Sequence, residues 1–315
     1  MQPICNVAIL GAGAMGAYFA ARFYDADSIS VSVVARDQRY ERLRREGLVV
    51  NGLAYVLPVT HPDEATIPAD LILVALKHHH LPVAVQDLQG LVGEQTTLLS
   101  VMNGLDSEEI LGRAYGPEKV LYATSVGIDA VRQGNRITYT KGGTHYFGEA
   151  TNDEISPQVR RVQAAFDQAS ICYETPPDMI RLLWWKFMVN VGMNQASAVM
   201  RAPYGVFQTS AKAQAVIKTL MQEVIALAGA AGVNLVEEDV AEWVTVLESL
   251  SPQAKTSMLQ DIEAGRKTEV EAFGGKVVAL GQEYGIPTPV NSALLSIIQV
   301  LEQQQDPEGH WGPRN

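Results

Sequence analysis

Three polar side chains interrupt an otherwise apolar run over residues 183–194, and their spacing is the first sign of chemistry in this sequence. Lys186, Asn190 and Asn194 recur every fourth residue, which on a helix places them within about 80° of one another. An ammonium and two carboxamides buried on one stripe cost free energy unless partners meet them, so the stripe points to a polar cleft. The competing reading is a lysine that reaches solvent beside two structural amides. A second set is the run Gly11-Ala12-Gly13-Ala14-Met15-Gly16. Between a strand and a helix, Gly11 permits a tight turn, Gly13 lets the backbone approach a pyrophosphate, and Gly16 lets the helix pack on the strand. The free amides at the helix start then face an anion, and a dinucleotide is the ligand that such a loop suits.

Further polar residues stand where strands end. Arg36 closes a second strand over residues 29–35. A basic residue at that place accommodates the 2′-phosphate of NADP, where an acidic one would take the ribose hydroxyls of NAD, so NADPH is the expected cofactor. Asp37 beside it pulls the other way, and an exposed arginine opening the next helix is the alternative. Lys77 follows the apolar run at 69–76, and Asn103-Gly104 follows the strand at 96–102. Charged and polar residues at the carboxyl ends of such strands lie where ligands bind in open α/β sheets. His78 to His80 lack metal-ligand spacing and read as a polar loop, so no metal is expected.

The elements that must position these groups are legible from periodicity. Residues 7–10 form a strand and 17–24 a small-residue helix; residues 48–59 read as a strand pair turned by Asn51-Gly52. Further strands are expected at 120–130, 136–140, 144–148 and 171–173, with helices at 38–46 and 157–168. From Pro177 onward the pattern is helical, with long segments at 211–231, 237–248 and 268–284. The fold class is therefore α/β: a Rossmann-type dinucleotide-binding domain over residues 1–176, followed by an all-helical domain over 177–315 that carries substrate and catalysis. Residues 303–315, with two prolines and two glycines, are expected to fray.

Composition bounds the function. A chain of 315 residues with 47% hydrophobic and 19% charged residues has room for two cores. Its net charge of −11 argues against general affinity for nucleic acid or anionic membrane. The only two cysteines, Cys5 and Cys172, fall in apolar strands without metal spacing, and read as reduced core residues of a cytoplasmic protein. No run of apolar residues is long enough to suggest a membrane span.

Taken in order, the motifs resemble the ketopantoate reductase family (2-dehydropantoate 2-reductase) over nearly the whole sequence. They are Gly11/Gly13/Gly16, Arg36, Lys77, Asn103-Gly104, Lys186/Asn190/Asn194, Ser257-Met258-Leu259-Gln260-Asp261 and Thr268-Glu269. The resemblance implies that Lys186 is the proton donor. It implies that Asn103, Asn190, Asn194, Ser257 and Glu269 bind substrate, and that the glycine loop, Arg36, Lys77, Asn103 and Glu269 bind the cofactor. The sequence departs from the family at Tyr204-Gly205, where some members have Asn-Gly. It departs again at Val270-Glu271, where Ile-Asp is expected, and at Gly274, where Asn is expected. These positions bear on which acid is bound, since polar groups facing a substrate hydroxyl decide such discrimination.

The implied reaction is NADPH-dependent reduction of a small 2-oxo acid, 2-dehydropantoate, to pantoate, as in pantothenate biosynthesis. A homodimer is compatible with this reading, and neither nucleic acid nor membrane is an expected partner. Two alternatives stay open: the same chemistry on another branched 2-oxo acid, and an NADP-binding regulator without turnover.

Overall fold

In the computed structural model, which describes residues 2–306, the chain divides into two compact units, one ending at Ile180 and the next beginning at Arg181. The first unit runs β1 (Asn6–Leu10), α1 (Ala14–Tyr24), β2 (Ser30–Val34), α2 (Asp37–Glu46), β3 (Leu48–Val50), β4 (Leu53–Tyr55), β5 (Val59–Thr60) and β6 (Leu71–Val74). It continues through α3 (Leu81–Ala84), β7 (Thr97–Ser100), α4 (Ser107–Tyr115), β8 (Val120–Val126), β9 (Val131–Gln133), β10 (Arg136–Thr138), β11 (Thr144–Gly148), α5 (Pro157–Gln168) and β12 (Tyr173–Glu174).

Among the described residues, eight of these strands form one sheet in the order β12-β11-β8-β7-β6-β1-β2-β5. The pairings from β5 through β8 are all parallel, and β11 runs antiparallel to β8. Chain order reverses at β1, which has β2 on one side and β6 on the other. The strands are apolar on both faces because both are covered. Val7, Ile9 and Val33 pack with Phe19, Phe23 and Phe166 of the α1 and α5 side. Ala8, Leu10 and Val74 pack with Leu81, Leu88 and Leu111 of the α3 and α4 side.

The strand pair expected over residues 48–59 is divided. Asn51 and Gly52 both have positive φ, 49° and 84°, as a two-residue hairpin turn requires, and they join β3 to β4. Beyond Pro58, β5 leaves that hairpin and pairs with β2 in the main sheet. The hairpin instead joins β9 and β10 in a small sheet of order β4-β3-β10-β9. The two cysteines are corrected: Cys5 and Cys172 are free and exposed. Extended chain alternates sides, and Ile4 and Ile171, each 3% exposed, take the inward positions beside them.

The second unit contains α6 (Met179–Met200), which opens just before the boundary, then α7 (Tyr204–Thr209), α8 (Ala211–Ala230), α9 (Glu237–Ser249), α10 (Ser257–Glu263), α11 (Lys276–Tyr284) and α12 (Pro289–Gln305). The helix expected over 268–284 is interrupted by a π-helical turn, Glu271–Gly275, directly before α11. Helix α6 is buried along most of its length and crosses α8 at Gly192, where a β-carbon would stand 2.7 Å from Met221 Cε. A buried polar chain ties three helices. Gln195 Nε2 donates to Asn291 Oδ1 at 2.8 Å, and the backbone N and Nδ2 of Asn291 donate to Glu223 Oε2 at 3.0 and 2.7 Å. Gln303 to Gln305 complete α12, and residues 307–315 of the segment expected to fray lie outside the described residues. No helix among the described residues is long and apolar enough to cross a membrane.

Candidate active site

Four of the sequence signals arrive at one sheet edge because of register. Val34, Leu10, Val74 and Ser100 form a row of Cα partners across β2, β1, β6 and β7. The chain continues beyond this row into Arg36, the glycine loop, Lys77 and Asn103 respectively. The loop after β6 is tied to the loop after β7 by His78 Nε2 and Asp106 Oδ2 at 3.2 Å. Lys77 precedes the 3₁₀ turn His78–His80, Asn103 precedes Gly104 with φ 103°, and both side chains are partly buried.

The three glycines of the loop have separable causes. Gly11 has φ 106°, and a β-carbon there would lie 2.6 Å from the carbonyl oxygen of Ala75. At Gly16 a β-carbon would lie 1.8 Å from the Gly11 carbonyl oxygen, so only glycine lets α1 seat on β1. Gly13 is different. Its φ of −75° and ψ of −167° suit any residue, and the nearest atom to an added β-carbon is 3.9 Å away. The protein itself does not demand glycine at 13, whereas a ligand approaching the backbone there would. Gly13 also offers no side-chain cap to α1, which leaves the first-turn amides of that helix for an external acceptor. The loop thus fits a pyrophosphate.

Arg36 caps α2 two residues beyond β2, as its place in the sequence suggests, but it does not stand alone. Nη1 and Nη2 donate to the two carboxylate oxygens of Asp63 at 3.0 and 2.8 Å, and Nε donates to Asp87 Oδ1 at 2.5 Å. These carboxylates raise the pKa of the guanidinium, and Asp63 is held below its usual value chiefly by its hydrogen bond to Arg36. Neither acid could be assigned from sequence, because they follow different strands and no local pattern links them to residue 36.

In the second unit, the Lys186 stripe lies on α6, with Lys186 partly buried and Asn190 and Asn194 each 6% exposed. Burial lowers the Lys186 pKa to about 8. Asn194 Nδ2 donates to Asn190 Oδ1 at 3.3 Å, while Asn194 Oδ1 accepts from Ser257 Oγ and from the Met258 backbone N, both at 3.2 Å. The structure therefore joins the stripe to the start of α10. Thr256, which the sequence reading passed over, caps that helix by accepting from Leu259 N at 3.2 Å and so fixes Ser257. A Thr immediately before an apolar helical run is the local signal that could have found it.

Glu269 is partly buried and follows Thr268, whose N and Oγ1 both donate to Glu302 Oε1, at 2.7 and 2.6 Å. Thr268 anchors the entry to the π-helical turn, while Asp261 of the Ser-Met-x-Gln-Asp motif accepts from Arg266 Nε at 2.9 Å. Gly274 has a packing reason: a β-carbon there would lie 2.4 Å from Gln195 Oε1. An asparagine at 274 could not share that space without moving Gln195. Gly205 is likewise held by Pro252, 3.0 Å from where its β-carbon would be.

The model of the ketopantoate reductase PanE/ApbA family matches residues 7–152, and that of its C-terminal part matches residues 178–302. The chain belongs to the ketopantoate reductase family. A 2-dehydropantoate 2-reductase of Streptococcus pyogenes serotype M3 is 27% identical over 303 residues, covering 94% of this chain and 97% of that one. The crystal structure of 2-dehydropantoate 2-reductase from Geobacter metallireducens is 27% identical with a TM-score of 0.83, covering 95% of this chain and 99% of the other. The ternary structure of D-mandelate dehydrogenase with NADH and anilino(oxo)acetate has the same fold, with a TM-score of 0.86 at 22% identity and 96% and 99% coverage. Family membership makes the chain one of the oxidoreductases that act on 2-oxo acids.

Proposed function

We propose that this chain reduces 2-dehydropantoate to pantoate. The observation that carries the proposal is the stripe Lys186–Asn190–Asn194, whose two amides are buried as a purely structural helix would have no reason to bury them, joined through Asn194 to the exposed Ser257. Naming of the relatives supports the choice of acid. When bound, the nicotinamide dinucleotide supplies the hydride that reduces the C2 carbonyl. Lys186 does two things in this chain: its ammonium stabilises negative charge developing on the carbonyl oxygen, and it then donates a proton to that oxygen. Asn190, Asn194 and Ser257 orient the acid, with Asn103 and Glu269 as further polar contacts. The glycine loop, Lys77 and Asn103 hold the dinucleotide. NADPH is the form that the position of Arg36 supports, and the pairing of Arg36 with two carboxylates opposes it.

A second reading is reduction of a different branched 2-oxo acid. Gly274 favours it, because the space that an asparagine side chain would fill is closed by Gln195. Oxidation of NADPH and of NADH, followed by absorbance against a panel of 2-oxo acids, tests both readings. The first expects 2-dehydropantoate to give the highest kcat/KM. A different acid preferred by more than about tenfold moves the assignment to the second reading, and no turnover with any acid rejects both.

A further inference from the structure

The carboxylates on Arg36 have a consequence for the dinucleotide, given the proposed reading of the first unit as its site. Arg36 lies just beyond the register row that ends β2, beside the glycine loop that ends β1, where the adenosine ribose of a dinucleotide on that loop would be read. A free guanidinium there would offer its planar fork to a 2′-phosphate. In this chain the fork is taken: both terminal nitrogens bond Asp63 and Nε bonds Asp87. One guanidinium against two carboxylates leaves a net charge of one negative, facing what would be a phosphate dianion. The Asp63 side chain is 64% exposed, so its carboxylate stands at the surface and not in the core. It can accept from a ribose 2′-hydroxyl, the role an acidic residue plays in NAD-binding domains.

We propose that Asp63, with Asp87 behind it, sets the dinucleotide preference of this chain towards NADH, by occupying the guanidinium face that a 2′-phosphate would need. The two acids reach Arg36 from separate connections: Asp63 from the 3₁₀ turn Pro62–Glu64 after β5, and Asp87 from the 3₁₀ turn Val85–Leu88 after α3. Asp87, with a side chain 16% exposed, holds Nε from the less accessible side. Asp63 holds the outer edge that a ligand would meet. Removing Asp63 therefore frees two donors and a positive charge while Asp87 still positions the arginine.

The test is equilibrium binding of NADH and NADPH to the full chain, read by quenching of protein fluorescence without any acid substrate. The wild type should bind NADH at least as tightly as NADPH. Asp63→Asn and Asp63→Ala should each shift the ratio of the two dissociation constants towards NADPH by about tenfold or more, the range expected for freeing a charged hydrogen-bond pair. A wild type that binds NADPH tighter than NADH, a ratio unchanged in both variants, or an equal loss of both dinucleotides would overturn the proposal. A chain that binds NADH as expected yet reduces no 2-oxo acid would reject the proposed reaction and leave this inference standing.

Discussion

The carbonyl oxygen of Gly11 lies 1.8 Å from where a β-carbon on Gly16 would stand, closer than any real contact. Gly13, between them, has no such neighbour, and on the proposed reading this difference separates folding from binding within six residues. Gly16→Ala should destabilise the first unit by about 3 kcal/mol or more, through overpacking at the join of α1 and β1. Gly13→Ala should unfold at the wild-type temperature and lose dinucleotide affinity by about tenfold or more. Thermal unfolding and dinucleotide titration of the two variants side by side check the contrast.

Lys186→Met keeps the apolar stem and removes the charge and the proton. Turnover at saturating dinucleotide and acid should fall by at least about 10²-fold, with dinucleotide binding retained. On the proposed mechanism the ammonium is the competent form, and burial lowers its pKa to about 8. Reduction should therefore be fast below that pH and decline as pH rises through about 8, while the reverse oxidation gains. A residual rate in Lys186→Met that keeps the same alkaline limb would assign that limb to another group.

Asn194 serves three partners at once, so its loss and that of Ser257 should differ. Ser257→Ala should raise the KM for the acid and leave dinucleotide affinity near its original value. Asn194→Ala should raise that KM too, and should also cost about 1–3 kcal/mol of stability, because the Met258 N–H loses its acceptor in a buried setting. Steady-state kinetics and urea unfolding on both variants measure the split.

Glu108 of α4 is 8% exposed, and burial raises its pKa from 4.5 to about 7. A carboxyl that holds its proton more tightly in the folded state contributes stability that is fully present below about pH 4.5. That contribution is lost as pH rises through about 7. Glu108 also lines a cavity of about 440 Å³. Glu108→Gln should match the wild type at about pH 4 and exceed it by about 1–3 kcal/mol at about pH 8. Urea unfolding at the two pH values gives the answer.

What the sequence made legible was what local chemistry controls. The strands at the sheet centre are short apolar runs, α5 starts at Pro157 behind a capping Ser156, and the polar stripe is set by helical spacing alone. The pairings of Arg36 with Asp63 and Asp87 were beyond reach, since they depend on how two separate connections fold back onto one strand end. The departure at Gly274 was visible as an oddity, and its reason, the side chain of Gln195 against its backbone, is a contact between distant segments. The cysteines misled because the apolar runs around them are one-sided: alternation put their neighbours inward and turned the thiols outward.

The small second sheet sets an order on synthesis. Val49 pairs with Arg136 and Val50 with Ile137, so the β3–β4 hairpin acquires its neighbour only once the chain beyond β8 has left the ribosome. Until then the hairpin has an open edge, and two strands alone are marginal in water. A nascent chain arrested before β9 should therefore carry a hairpin sensitive to protease at Asn51-Gly52, a sensitivity that disappears when residues through Thr138 are exposed.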